Sequence, residues 1–254
     1  MGEGMAGSLQ AKAIGPPVCS TVIVALDFDS GDQARRLVDV LGPEVGAYKV
    51  GLQVLTAAGP ALVEELVALG KEVFLDLKLH EIPNSVAGAV RAAGRLGATM
   101  VTVHASAGSA ALRAAVQAAA PFPRLQVLAL TVITSLGDAD LPEIGLAPSV
   151  DQQVERLSRL AAGSGCHGIV ASAREARFLA LAMPRGLLIV TPGIQLEDTA
   201  GNDQARVATP AYAAASGATH IVVGRAIAGA ADPPAAYRRA AGSFRGDDAA
   251  DPRR

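Results

Sequence analysis

Short runs of aliphatic and β-branched residues alternate along this chain with longer stretches in which apolar side chains return every three or four positions. The runs are TVIVALD (21–27), VGAYKVG (45–51), EVFLDLK (72–78), TMVTVHA (99–105), LQVLALT (125–131), HGIVAS (167–172), LLIVT (187–191) and THIVVG (219–224). Nearly unbroken apolar runs of this kind predict strands buried on both faces, with parallel neighbours and a covering of helices. Segments between them, among them 33–41, 61–69, 86–96, 150–162 and 205–216, carry the helical period. Eight strand–helix units in a chain of 254 residues predict an α/β fold, a single-domain (β/α)8 TIM barrel. A doubly wound open sheet would alternate in the same way and stays open at this stage. The pattern places the barrel at 20–241, between a flexible extension at 1–19 and a flexible, solvated tail at 242–254 rich in Asp, Arg and Ala.

Composition narrows the function classes. Half the residues are hydrophobic and the formal net charge is −2, so nothing in the charge balance points to nucleic acid or an acidic membrane surface. No apolar run reaches the length of a membrane span, and 1–18 lacks the apolar core of a signal peptide. Two cysteines, Cys19 and Cys166, are too few for a disulfide framework, which favours a reducing, cytoplasmic setting. The four histidines have no metal-ligand spacing and no Cys-x-x-Cys occurs, so no metal is expected. No Gly-x-Gly-x-x-Gly follows a strand, which argues against a dinucleotide, and Ser106 and Ser135 lack a His–Asp partnership for acyl transfer.

A barrel assembles its chemistry at the C-terminal ends of its strands. The polar residues there are Asp27, Lys49, Asp76, Lys78, His104, Thr131, Thr134, Ser135, Thr191 and Arg225, and they are expected to converge on one mouth. Within it, Asp27, Lys49, Asp76, Lys78 and Glu81 form an array of opposite charges, each kept ionised by a neighbour in a partly dry pocket. Such an array suits a reaction whose transition state gathers negative charge beside Lys78; a structural ion-pair network is the alternative. On the other side, TPGI (191–194) and VVGR (222–225) end strands 7 and 8, the recurrent phosphate position of this fold. Gly193 and Gly224 permit close backbone approach and Arg225 supplies a bidentate cation. His104 reads as a hydrogen-bonded lining residue and His80 as one that orients its loop.

Over roughly 20–240, these motifs resemble the orotidine 5′-phosphate decarboxylase family. ALD with Asp27, YKVGLQ with Lys49, LDLKLHEIPN with Asp76 and Lys78, VHA with His104, TVITS with Thr134, TPGI, AGNDQ (200–204) and VVGR with Arg225 fall in the family's order. The resemblance implies decarboxylation of orotidine 5′-phosphate to uridine 5′-phosphate without a cofactor, in pyrimidine nucleotide synthesis. It implies that Lys78 stabilises a carbanion at pyrimidine C6 and protonates it, that Asp76 faces the leaving carboxylate and that Lys49 orders the charges. Asp27 and Lys49 would hold the ribose and Thr134 the pyrimidine edge. Pro192, Gln195, Gln204, Gly224 and Arg225 would surround the phosphate. The resemblance further implies a homodimer in which each mouth borrows Glu81, Ile82 and Ser85 from its partner.

Three positions depart from the pattern. Glu81 stands where the family's D-x-K-x-x-D has its second aspartate, Gln195 where similar bacterial enzymes carry arginine, and Ser85 where threonine is usual. The longer Glu81 side chain would crowd the substrate carboxylate or swing its charge away from Lys78. Gln195 would remove a charge-assisted phosphate contact. Two alternatives to orotidine 5′-phosphate decarboxylation therefore stand beside it: a divergent relative acting on another nucleotide, and a nucleotide-binding protein that has lost catalysis.

Overall fold

The computed structural model describes residues 21–196 and 208–247. The extension at 1–19, Gln204 and the end of the tail lie outside these described residues. Strands β1 (Thr21–Ala25), β2 (Ala47–Gly51), β3 (Glu72–Leu79), β4 (Met100–His104), β5 (Gln126–Leu130), β6 (Gly168–Val170), β7 (Leu188–Thr191) and β8 (His220–Val223) pair in parallel and in sequence order. β8 returns to β1, with Thr21 opposite His220 and Val24 opposite Val223, so the sheet is a closed barrel and the open-sheet alternative is removed.

Each strand's two faces serve different layers, as the two-residue alternation requires. Inward-pointing Ile23, Ala25, Ala47, Phe74, Met100, Leu128, Leu130, Val170, Leu188, Val190 and Val222 fill the barrel. Outward-pointing residues such as Val22, Val24, Tyr48, Val50, Val101 and Ile221 pack under the helices. Gly168 is required by this packing, because a Cβ there would lie 2.6 Å from the Leu188 Cβ. Burial pushes the Cys166 thiol up to about 12, which leaves it a neutral core residue.

Helix starts follow local chemistry. The Ser30 hydroxyl accepts from the Gln33 N–H at the head of Gly31–Leu41, and the Ser149 hydroxyl accepts from the Gln152 N–H at the head of Val150–Gly163. At the head of Ala173–Ala182 the Glu175 carboxylate accepts from the Ser172 N–H at 2.7 Å. Two expectations are corrected. The segment at 205–216 is helical only over Pro210–Ala215 in the described residues, because Thr209 caps it and Pro210 sets its first turn. The final helix, Pro233–Arg245, runs past the 241 boundary because Phe244, 2% exposed, completes its buried face.

Candidate active site

Inward alternation carries Asp27, Lys49 and Asp76 to the mouth above the apolar layer of Ala25, Phe74, Leu130, Val170 and Val222. Lys49 Nζ lies 2.8 Å from Asp27 Oδ1 and 3.7 Å from Asp76 Oδ2, and Lys78 Nζ lies 2.7 Å from the same Asp76 oxygen. The four side chains form a chain of alternating sign, Asp27–Lys49–Asp76–Lys78. Lys49 and Asp76 are almost withdrawn from water, at 12% and 13% side-chain exposure, whereas Lys78 is 39% exposed and faces the cavity. At an effective dielectric near 20, unit charges about 4 Å apart attract by roughly 4 kcal/mol, enough to fix an ammonium in place. Gly51 leaves room for this: a Cβ there would sit 3.3 Å from both Asp27 Oδ1 and Lys49 Nζ.

Lys78 lies on the same face as Phe74 and Asp76, at an irregularity in β3. Leu75 pairs with Val101 and Leu79 with Val103, so three residues of β3 face Thr102 alone. Lys78 takes up the slack at φ 49°, in the left-handed region and alone among the described non-glycine residues. That conformation costs on the order of 1–2 kcal/mol for an L-residue, and strain of this kind collects where chemistry is done. Thr102, fully buried, braces the irregularity: its hydroxyl donates to Asp76 Oδ1 at 3.0 Å and accepts from the Lys78 N–H at 2.9 Å.

The cavity encloses about 580 Å³, a volume suited to a small polar ligand. Opposite the charges lie Pro192, Gly193, Ile194 and Gln195 after β7, and Gly224 and Arg225 after β8. Two backbone bonds tie the first of these loops at its base, from Ala208 N–H to Gly193 O and from Gln195 N–H to Ala208 O. Ile133, Thr134 and Ser135 complete the lining from the β5 end.

Of the anticipated site residues, Asp27, Lys49, Asp76, Lys78, Thr134, Pro192, Gln195, Gly224 and Arg225 line this one cavity. Glu81, Ile82 and Ser85 do not: all are exposed, and the Glu81 carboxylate turns back to accept the Ile82 N–H at 2.8 Å. Within one chain the array therefore has four charges rather than five, since β3 ends at Leu79 and Pro83 starts the next helix before residue 81 can reach inward. His104, Thr131 and Thr191 are also not cavity-lining. Leu130 and Val190 take the inward positions, which turns Thr131 and Thr191 outward and buries them. His104 stacks on His80 with ring centroids 5.2 Å apart, and burial, His80 and Lys78 together hold its pKa below the usual histidine value. Gln53, a lining residue that bonds Asp29 at 2.7 Å, and Thr102 were not anticipated. The signal for Thr102 was a hydroxyl at an inward position in the apolar run TMVTVHA.

A closed (β/α)8 barrel with a paired-charge mouth facing a glycine-lined rim that carries Arg225 has the architecture of a barrel enzyme. Over residues 20–240 the chain matches the model of the orotidine 5′-phosphate decarboxylase / HUMPS family, and it belongs to that family. It is 50% identical over 221 residues to an orotidine 5′-phosphate decarboxylase of Alkalilimnicola ehrlichii, covering 87% of this chain and 94% of that relative. A protein of the same name from Anaeromyxobacter sp. (strain K) is 48% identical over 217 residues, covering 85% of this chain and 95% of that protein. Among solved structures, the orotidine 5′-phosphate decarboxylase of Lactobacillus acidophilus superposes with a TM-score of 0.80 at 35% identity, covering 89% of this chain and 99% of that one.

Proposed function

We propose that this protein is a cofactor-independent carboxy-lyase that converts orotidine 5′-phosphate to uridine 5′-phosphate and carbon dioxide. The observation that carries the reading is the Asp27–Lys49–Asp76–Lys78 array, built into the same cavity as Arg225 and the β7 loop. A substrate carboxylate placed beside Asp76 is repelled in the ground state and leaves as neutral CO2. The electron pair of the broken C6–carboxylate bond remains on C6, where the Lys78 ammonium stabilises it and then delivers a proton. The array thus binds the transition state better than the substrate. Its charges are already fixed by one another, so little reorganisation accompanies the step. Asp27 and Lys49 hold ribose hydroxyls, Thr134 meets the pyrimidine edge, and Arg225, with Pro192, Gln195, Gly224 and Gln204, takes the phosphate.

The enzyme acts as a homodimer in the cytoplasm, serving pyrimidine nucleotide synthesis. Supporting the dimer, residues 81–85 after β3 are exposed, with Ile82 at 63%, and Leu52, directly after β2, is a second exposed apolar side chain at 57%. No described helix is long and apolar enough to cross a membrane. The experiment is incubation of purified protein with orotidine 5′-phosphate, following loss of the orotate chromophore. Sustained turnover supports the reading. Binding of uridine 5′-phosphate without turnover of orotidine 5′-phosphate would assign the cavity to a different nucleotide or to binding alone.

A further inference from the structure

We propose that Thr102 is a positioning residue for the reaction, a hydroxyl that sets Lys78 and Asp76 relative to each other. The inference rests on the decarboxylase reading for its kinetic arm and on geometry alone for its structural arm.

A regular parallel ladder would bond β3 to β4 through backbone groups at every pair. Between the Leu75–Val101 and Leu79–Val103 pairs that ladder is interrupted, and Asp76, Leu77 and Lys78 all lie opposite Thr102. The Thr102 hydroxyl replaces the lost backbone contacts: it accepts from Lys78 N–H and donates to Asp76 Oδ1, using both capacities of one oxygen. Because the hydroxyl proton goes to the carboxylate, the oxygen's lone pair is turned to the Lys78 amide. The two bonds therefore support each other. Asp76 Oδ2, left open by this arrangement, is the oxygen that both Lys78 and Lys49 approach. Thr102 touches neither Nζ. It acts through Asp76, whose rotation it fixes, and through the left-handed backbone of Lys78, whose amide it holds. It is fully buried, at 0% exposure.

The test uses full-length protein. Thr102→Val keeps the shape and removes the hydroxyl, and Thr102→Ser keeps the hydroxyl and removes the methyl. In Thr102→Val, kcat for orotidine 5′-phosphate falls by about 100-fold, the loss associated with a misplacement of about 1 Å, while KM and uridine 5′-phosphate affinity stay close to wild type. In Thr102→Ser, kcat returns to within a few-fold. Independently of turnover, hydrogen exchange at the Lys78 amide is about tenfold faster in Thr102→Val than in wild type and is protected again in Thr102→Ser. Thr102→Val with unchanged kcat, or with KM and kcat lost together and serine giving no rescue, overturns the proposal. So does unchanged exchange at Lys78. Should Thr102→Val not fold, Thr102→Ala against Thr102→Ser provides the same contrast. A wild type inactive on orotidine 5′-phosphate would overturn the decarboxylase reading, and the exchange measurement would still judge Thr102.

Discussion

The two halves of the barrel mouth are built on opposite principles. On the β1–β3 side, two acids and two lysines fix one another, two of them nearly out of water, and Thr102 and Gly51 shape the space around them. On the β7–β8 side the lining is backbone, proline, glycine and Gln195, with Arg225 as its cation, and its first loop is tied by two backbone bonds. The first half suits a charge that forms during reaction, because a preorganised field costs no rearrangement at that moment. The second suits a charge that is constant throughout, such as a phosphate, whose binding energy is available to ground and transition state alike. The contrast predicts that damage to Asp76 or Lys78 lowers kcat and that damage to the second half raises KM.

Among variants that keep Lys78, the largest effect is expected from Asp76→Ala, which takes the shared partner from Lys49 and Lys78. Its kcat should fall by about 1,000-fold with KM little changed, as for loss of a transition-state contact; a KM effect of that size instead would dissolve the division. Arg225→Ala should raise KM by roughly 10- to 100-fold, in line with about 1.5–3 kcal/mol for a charged hydrogen bond, and leave kcat within a few-fold. Gln195→Arg sharpens the same side in the opposite direction, lowering KM by roughly tenfold if the residue faces the phosphate. No change would place the phosphate away from Gln195.

A control lies below both halves. His220, 4% exposed at the start of β8, has its pKa pushed down to about 4 by burial, against 6.5 for a free histidine. Between those values the unfolded chain binds the extra proton, so stability is full above about pH 6.5 and is lost as pH falls towards 4. The loss approaches about 3 kcal/mol. Thermal denaturation from pH 7 to 4 should show this acid limb, and His220→Asn should reduce it without shifting KM. The smallest effect concerns Glu81. In one chain its carboxylate caps its own loop; if it reaches the partner's mouth in a dimer, Glu81→Asp should raise kcat a few-fold. An unchanged or lower kcat would mean that the glutamate is fitted to this site as it stands.

Much of this was legible before any coordinates. Parallel strands buried on both faces leave long apolar runs, so the eight strands could be read from hydrophobicity; their number favours a barrel over an open sheet, and the β8–β1 pairing decides it. Charges at the ends of such runs have few explanations besides a site, which is why Asp27, Lys49, Asp76 and Lys78 stood out. What could not be read is geometry that alternation does not encode. Whether Thr131 or Leu130 faces inward depends on register, and a two-residue period offers both answers until a neighbouring strand chooses. Alternation alone puts Lys78 on the face of Phe74 and Asp76, but the irregularity in β3 that gives it a left-handed backbone exists only against β4. The partnership with Thr102 depends on it, and Glu81, near the array in sequence, is held away from it in space by the turn after Leu79.

The central claim is that Asp76 and Lys78 perform the reaction, while the other residues of the mouth hold the ligand and keep these two charges in place. The most direct test compares wild type with Lys78→Ala, measuring orotidine 5′-phosphate turnover and uridine 5′-phosphate affinity in both. The account predicts sustained turnover by wild type, none detectable in Lys78→Ala, and a folded variant that still binds uridine 5′-phosphate. Turnover that survives the loss of Lys78 would contradict it.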